Sequence, residues 1–417
     1  MSRDQTQFLL LNFGHFFDHL FMLVFATVAA LALSREWGLG YGELLQYATP
    51  GFVAFGVCAL PAGWLADKWS RDGMMCVFFV GIGVAAIAAG FSQTPLQIGI
   101  GLFAIGVFAA IYHPVGLAIV TAKWKNTGMR IAVNGVWGNL GVASAALITG
   151  YLIDNGGWRL AFIVPGLASV GIGVIYVALL RRNGAASQTP QNPAVAGQEQ
   201  SLTPDLKALL VRISAIVFLT TAVSSVIFQA TTFALPKIFD ERLQGIAAKL
   251  ADWSQALHLP WHTDVATMVG VFAFSVFAIA SMAQLVVGSL LDKHGPRPVF
   301  LGMASLQAVF FFAMPGLYDG AALAVALGFM LGAFGQIPIN DYMIGKMASG
   351  EFRARVYGVR YVVSFSVLAA TLPLIAFVYE NWGFDTLFQI LAAAAAVIFT
   401  AVTLLPRRLP EPAVRTP

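Results

Sequence analysis

Twelve apolar runs, each roughly twenty residues long and closed by charge or turn residues, recur along the chain. They cover 8–33, 44–65, 74–91, 96–121, 131–153 and 160–180, then 209–235, 265–291, 299–317, 321–344, 356–378 and 387–405. An α-helix rises ~1.5 Å per residue, so about twenty apolar residues cross a hydrocarbon core ~30 Å thick. The pattern predicts an all-α membrane protein with twelve transmembrane helices. Between the sixth and seventh runs lies a stretch rich in Pro, Gly, Gln and Ser, the composition of a flexible linker. It divides the chain into an N-terminal six-helix bundle, 1–180, a cytoplasmic linker, 181–207, and a C-terminal six-helix bundle, 208–417. The long connection 240–264 differs: Leu243, Ile246, Leu250, Trp253 and Leu257 follow at three- and four-residue steps. That spacing predicts an amphipathic helix, lying on the outer membrane surface or packed on the protein itself.

Composition narrows the class. Hydrophobic residues make up 58% of the chain and charged ones 11%, where a soluble domain carries roughly 25% charged residues. Cys58 and Cys76 both fall inside apolar runs, so no disulfide or zinc-ribbon framework is expected. Most lysines and arginines, from Arg3, Lys68 and Arg71 to Arg407 and Arg408, sit on the side of the membrane that holds the termini. Only Arg35, Arg159, Lys237, Arg242 and Lys249 fall on the other. By the positive-inside rule both termini are cytoplasmic, and the short loops suit a bacterial plasma membrane. The net charge of +4 comes from these anchors and gives no support to a nucleic-acid partner.

The two halves repeat. GWLADKWSR at 63–71 recurs as GSLLDKHGPR at 288–297, setting Asp67 against Asp292. Pro114 pairs with Pro338, Arg130 and Gly135 with Arg353 and Gly358, and Trp158 with Trp382, at offsets of 223–225. Two such copies are the arrangement in which secondary transporters rock around a midplane site.

These residues resemble the major facilitator superfamily over the whole chain. The loop Gly63 to Arg71, with its Gly288 copy, is similar to the superfamily's hallmark motif between spans two and three, and Gly157-Trp158-Arg159 with Phe162 resembles a further recurrent element. His15 in span one, Tyr112-His113-Pro114 in span four and the run Asn134 to Gly141 in span five are similar to the fosmidomycin-resistance-like branch. The resemblance implies two pseudo-symmetric bundles, a monomer, and a cavity lined by spans one, four, seven and ten. It favours efflux, although span four lacks the arginine and span five the proline of typical drug/proton antiporters.

Ionisable groups in the hydrocarbon core cost about 2.5–3.5 kcal/mol each on insertion scales and are functional candidates by default. His15, Asp18 and His19 share one helical face, and His113 lies at a depth similar to His15. Three readings stay open: Asp18 as a proton carrier tuned by His15, His19 or Arg360, the three span-one residues as ligands of a transition metal, or a hydrogen-bonded packing network. Arg360 is a fixed positive charge toward an anionic solute group or Asp18, or a snorkelling anchor. Further cavity candidates are Tyr112, Asn134, Trp137, Asn139, Gln229, Gln284, Gln336, Asn340 and Tyr361.

In the loop motifs, Gly63 and Gly288 suit close helix approach, while Asp67, Lys68 and Arg71, with Asp292, Lys293 and Arg297, suit charge clusters that open and close as a gate. Asp341 is expected to pair with Arg297 or Lys293, and Pro114 and Pro338 to kink or break their helices. Met343 and Met347 read as core filling.

The function expected is a secondary transporter of a small organic solute, working by alternating access and coupled to protons. A transporter of a transition metal or metal chelate, and a non-transporting receptor or assembly factor, are the alternatives. No Ser-His-Asp arrangement, phosphate-binding glycine loop or cofactor motif lies outside the spans, so neither an enzyme nor a bound cofactor is expected.

Overall fold

The apolar runs form helices in the computed structural model, which describes residues 2–124, 127–181, 204–257, 263–347 and 350–406; for 127–128, 204–208, 210, 341, 344–347, 350–365 and 368 the backbone alone is described. The first half holds α1 (Arg3–Glu36), α2 (Tyr41–Lys68), α3 (Arg71–Gly90), α4 (Pro95–Lys123), α5 (Thr127–Gly156) and α6 (Trp158–Arg181). The second holds α7 (Pro204–Arg242), α8 (Gln244–Ala256), α9 (Val265–His294), α10 (Pro296–Ala313), α11 (Asp319–Met347) and α12 (Gly350–Thr403). Caps mark several starts: Ser2 and Gln5 form a capping box on α1, and the side chains of Ser70 and Thr94 accept from Gly73 and Gln97.

Twelve crossings result because α12, at 54 residues, is two spans joined at Gly383. Gly383 has φ 75° and ψ −177°, a conformation open to glycine alone, and it kinks the chain between the two spans.

Within the first half α1 packs on α5, α2 on α4 and α3 on α6; within the second α7 packs on α12, α9 on α11 and α10 on both α11 and α12. The halves meet along α5–α9 and α2–α12. Exchanging the two copies of the repeat carries one of these seams onto the other, the pseudo-two-fold relation of an internally duplicated transporter. The α5–α9 seam is tight: a Cβ on Gly150 would stand 2.2 Å from the Ala266 carbonyl oxygen, and one on Gly270 2.6 Å from that of Ala146.

Three local features go beyond the sequence pattern. A π-helical turn, Ala29–Leu33, lies inside α1. The α4 helix breaks at Ala110–Ile111, four residues before Pro114, where the proline ring excludes the carbonyl of residue 110 from its usual partner. Pro338, its counterpart in the repeat, sits in an unbroken α11, which loses one hydrogen bond without parting. The loop helix α8 packs Leu243, Ala247, Ala251 and Ser254 inward, is fixed by the Ile246 amide donating to Asp319 Oδ1 at 3.0 Å, and turns Leu250, Trp253 and Leu257 outward. The helix is therefore packed on the protein itself, with one apolar edge left exposed.

Candidate functional site

The α1 spacing and the α4 break together build the site. His15, Asp18 and His19 project from one face of α1, and the second segment of α4 starts at Tyr112, presenting His113 to the same point. His15 Nδ1 donates to the Asn134 carbonyl of α5 at 2.8 Å, and its Nε2 lies 3.2 Å from His19 Nε2. His113 Nε2 stands 3.2 Å from Asp18 Oδ2. The His113 ring meets those of His15 and His19 edge-on at 5.2 and 5.5 Å. Asp18 is fully buried, and neither of its oxygens accepts a well-aligned hydrogen bond. Among the described residues the His113 imidazole is the group that faces this carboxyl, and a buried polar group of this kind is costly to leave without partners.

A buried polar lattice fixes these groups. Tyr112 stacks on His15 at 4.9 Å and donates to the Leu11 carbonyl at 2.8 Å. Asn134 donates to Asn12 Oδ1 at 2.9 Å and to the Tyr112 hydroxyl at 2.8 Å. Gly138 passes directly beneath the His15 ring, where a Cβ would come within 2.6 Å of Nε2. Trp137 packs edge-on to Phe13 at 4.8 Å, whereas Asn139 makes none of these bonds.

The second half contributes an uncharged counterpart. Ser224 donates to Gln336 Oε1 at 2.7 Å, and Gln336 Nε2 donates to Gln307 Oε1 at 2.6 Å. Beside this chain a cavity of about 90 Å³ is lined by Thr221, Ser224, Ser225, Gln229, Gln336 and Asn340, among others. Gln229, Gln336 and Asn340 thus line one cavity, whereas Gln284 is not among its lining residues and its buried amide nitrogen has no partner among the described residues. The side chains of Arg360, Tyr361, Asp341 and Met347 lie outside the described residues.

The first loop motif closes on itself: Arg71 holds Asp67 Oδ1 through Nε at 3.1 Å and through a terminal nitrogen at 2.8 Å, with Lys68 exposed beside them. Gly63 lies against Pro114, at 3.3 Å for a Cβ, the close approach expected. The second copy does otherwise. Among the described residues nothing lies within 4 Å of a Cβ on Gly288; Asp292 and Lys293 are exposed, and Arg297 donates to the Thr403 carbonyl at 2.8 Å.

Several groups that sequence spacing does not single out tie the halves at the opposite end. Arg35 lies 3.5 Å from Asp240, and Lys237 lies 2.9 Å from Asp240 and 3.5 Å from Glu241. Tyr379 donates to Glu241 at 2.5 Å and meets Tyr41 edge-on at 5.4 Å. Deeper, Phe52 meets Phe233 at 5.6 Å. At the Arg71 end, Tyr176 and Gln7 both donate to Asp72, at 2.7 and 2.8 Å, and Lys123 pairs with Asp4 at 2.9 Å. Loop charges of this kind look like membrane anchors in the sequence; only the partner helix distinguishes them.

A sequence profile of the Major Facilitator Superfamily matches residues 11–257 and 239–417. The chain belongs to that superfamily. Membership makes it a multi-pass membrane transporter rather than an enzyme. Among superfamily relatives, a probable hexose phosphate transport protein of Chlamydia pneumoniae is 24% identical, covering 89% of this chain and 84% of the relative. The gallate transporter of Pseudomonas putida is 23% identical over 92% and 88% of the two chains. The crystal structure of a D-xylose-proton symporter shares the fold at a TM-score of 0.68, with 13% identity and 98% and 99% coverage.

Proposed function

We propose that this superfamily member moves a small organic solute across a bacterial plasma membrane by alternating access, coupled to a cation gradient and favouring efflux. The halves 1–180 and 208–417 are the two moving bodies, the linker 181–207 and both termini are cytoplasmic, and the working unit is a monomer. The observation that carries the reading is a pair of unlike polar seats, one in each half, with the halves joined at one end by Arg35–Asp240, Tyr41–Tyr379 and Phe52–Phe233. The first seat holds His15, His19, His113 and the buried Asp18; the second holds Ser224, Gln307 and Gln336. A buried negative charge seats a coupling cation, for which the sequence suggests the proton. The amide and hydroxyl groups opposite suit the uncharged hydrogen-bonding part of a solute.

Hexose phosphate and gallate, the cargoes named for two relatives, are small polar organic molecules. The finer likeness to the fosmidomycin-resistance-like branch supports outward transport.

The test is to place cysteines at Arg35 and Asp240 in a Cys58→Ala/Cys76→Ala background and reconstitute the protein in vesicles. Gradient-driven flux of labelled hexose phosphate, gallate or related acids should stop on oxidation and return on reduction. Flux that continues unchanged with the disulfide formed would rule out alternating access by parting of the halves at this end.

A further inference from the structure

The cluster on α1 and α4 has the makings of a metal centre, and we infer that His15, His19 and His113 form a binding site for a nitrogen-ligated first-row dication such as Zn²⁺, Co²⁺ or Ni²⁺. One ring nitrogen from each of the three lies within 4.8 Å of the others. The two α1 histidines already meet the geometry. Ligand bonds of about 2.0–2.1 Å to a tetrahedral ion set neighbouring ligand atoms about 3.3 Å apart, and His15 Nε2 and His19 Nε2 are 3.2 Å apart.

The surroundings are those of metal-bound imidazoles. A ligating histidine commonly donates its other ring N–H to a carbonyl or carboxylate, which fixes the tautomer and aims the lone pair. His15 does so through Nδ1 to the Asn134 carbonyl, leaving Nε2 as the lone-pair nitrogen on the cluster side. His113 sets Nε2 against Asp18, so its other nitrogen carries the lone pair.

A second observation is the acidic group behind the rings. Among the described residues the fully buried Asp18 carboxyl accepts no well-aligned hydrogen bond, and its Oδ2 lies 3.2 Å from His113 Nε2. A carboxylate in that place orients the imidazole and offsets the charge of a bound dication. Donor chemistry selects its class: imidazole nitrogens suit late first-row ions, whereas Mg²⁺ and Ca²⁺ require oxygen ligands. Gly138 keeps the space at His15 Nε2 open. The ligand set departs from the one suggested by α1 spacing alone, because His113 takes the place of Asp18 and the carboxylate moves behind it.

Equilibrium binding tests the site without reference to transport, so failure here and failure of the transport reading are distinguishable. The chain has six histidines; a tag-free His258→Ala/His262→Ala/His294→Ala protein in detergent leaves only the three in question. Co²⁺ titration should give one ion per chain with the intense visible absorption of tetrahedral coordination, displaced by Zn²⁺. His19→Ala or His113→Ala should weaken binding at least about 100-fold, and Asp18→Asn by about 10- to 100-fold, the usual effect of losing a group behind a ligand. Gly138→Ala, which removes no ligand, should also weaken binding by crowding Nε2, and covers the case in which a histidine variant fails to fold. No tetrahedral spectrum, or one that survives in the His15→Ala/His19→Ala pair, would overturn the assignment and leave this seat to the proton.

Discussion

Asp154, at the end of α5, caps a helix of the other half: its Oδ2 accepts from the Thr267 backbone N–H at 2.7 Å and from the Thr267 hydroxyl at 2.5 Å. The same oxygen takes the Asp264 N–H at 2.9 Å. The positive end of α9 is thus neutralised by a carboxylate from across the α5–α9 seam. Because hydrogen bonds to charged acceptors contribute about 1.5–3 kcal/mol, Asp154→Ala should lower the melting temperature and loosen this end. Thiol labelling of a cysteine at Thr267 is the check; accessibility equal in the presence and absence of Asp154 would show that the cap does not hold the seam.

Asp18 separates cation coupling from architecture. Asp18→Asn keeps the shape and removes the charge, so the variant should express and retain its helical circular dichroism while losing gradient-driven accumulation. Wild-type accumulation in vesicles would remove Asp18 from the coupling machinery.

Lys237 faces two carboxylates, and the nearer, Asp240, is almost wholly buried. Removing one member of a buried pair costs up to about 3–5 kcal/mol where the other is left uncompensated; here Arg35, 3.5 Å from Asp240, offsets part of that cost. Lys237→Ala should therefore destabilise the protein more than Lys237→Ala/Asp240→Asn does. A denaturation series that ranks the double variant below the single one would contradict this electrostatic account.

Gly383 holds φ 75°, ψ −177° at the joint between the last two spans. Substituting alanine there should cost about 1–3 kcal/mol of strain, whereas Gly302→Ala, with open space around its Cβ, should be nearly neutral. Equal melting temperatures for the two variants would show that the joint relaxes freely.

The helices were legible because crossing a hydrocarbon layer demands long apolar runs, and the shared face of His15, Asp18 and His19 follows from helical spacing alone. Depth counting also brought His113 to the same level, and Pro114 announced the break that presents it. Partners set by packing were not legible. Nothing in the order of residues says that the Asn134 carbonyl receives His15, that Gln307 joins Ser224 and Gln336, or that Arg35 meets Asp240 rather than lipid headgroups. The duplicated sequence was also a partial guide: Pro114 breaks its helix and Pro338 does not, and Gly63 approaches Pro114 where Gly288 has no described neighbour within 4 Å of a Cβ. Copies with equal sequence signals have diverged in what surrounds them.

The π-helical turn at Ala29–Leu33 gives α1 one residue more than an ordinary helix needs to reach the same height. Each residue of an α-helix advances the rotation by about 100°. Everything beyond Leu33 is therefore out of phase with the site-bearing part of the same helix. That phase difference aims Arg35 at Asp240 and Glu36 at Trp158, 2.7 Å from its indole nitrogen, while His15 and Asp18 face inward. Deleting a single residue from the turn would leave a sound helix with its last charges swung away from their partners, so one supernumerary amino acid sets the timing between the two ends of the span.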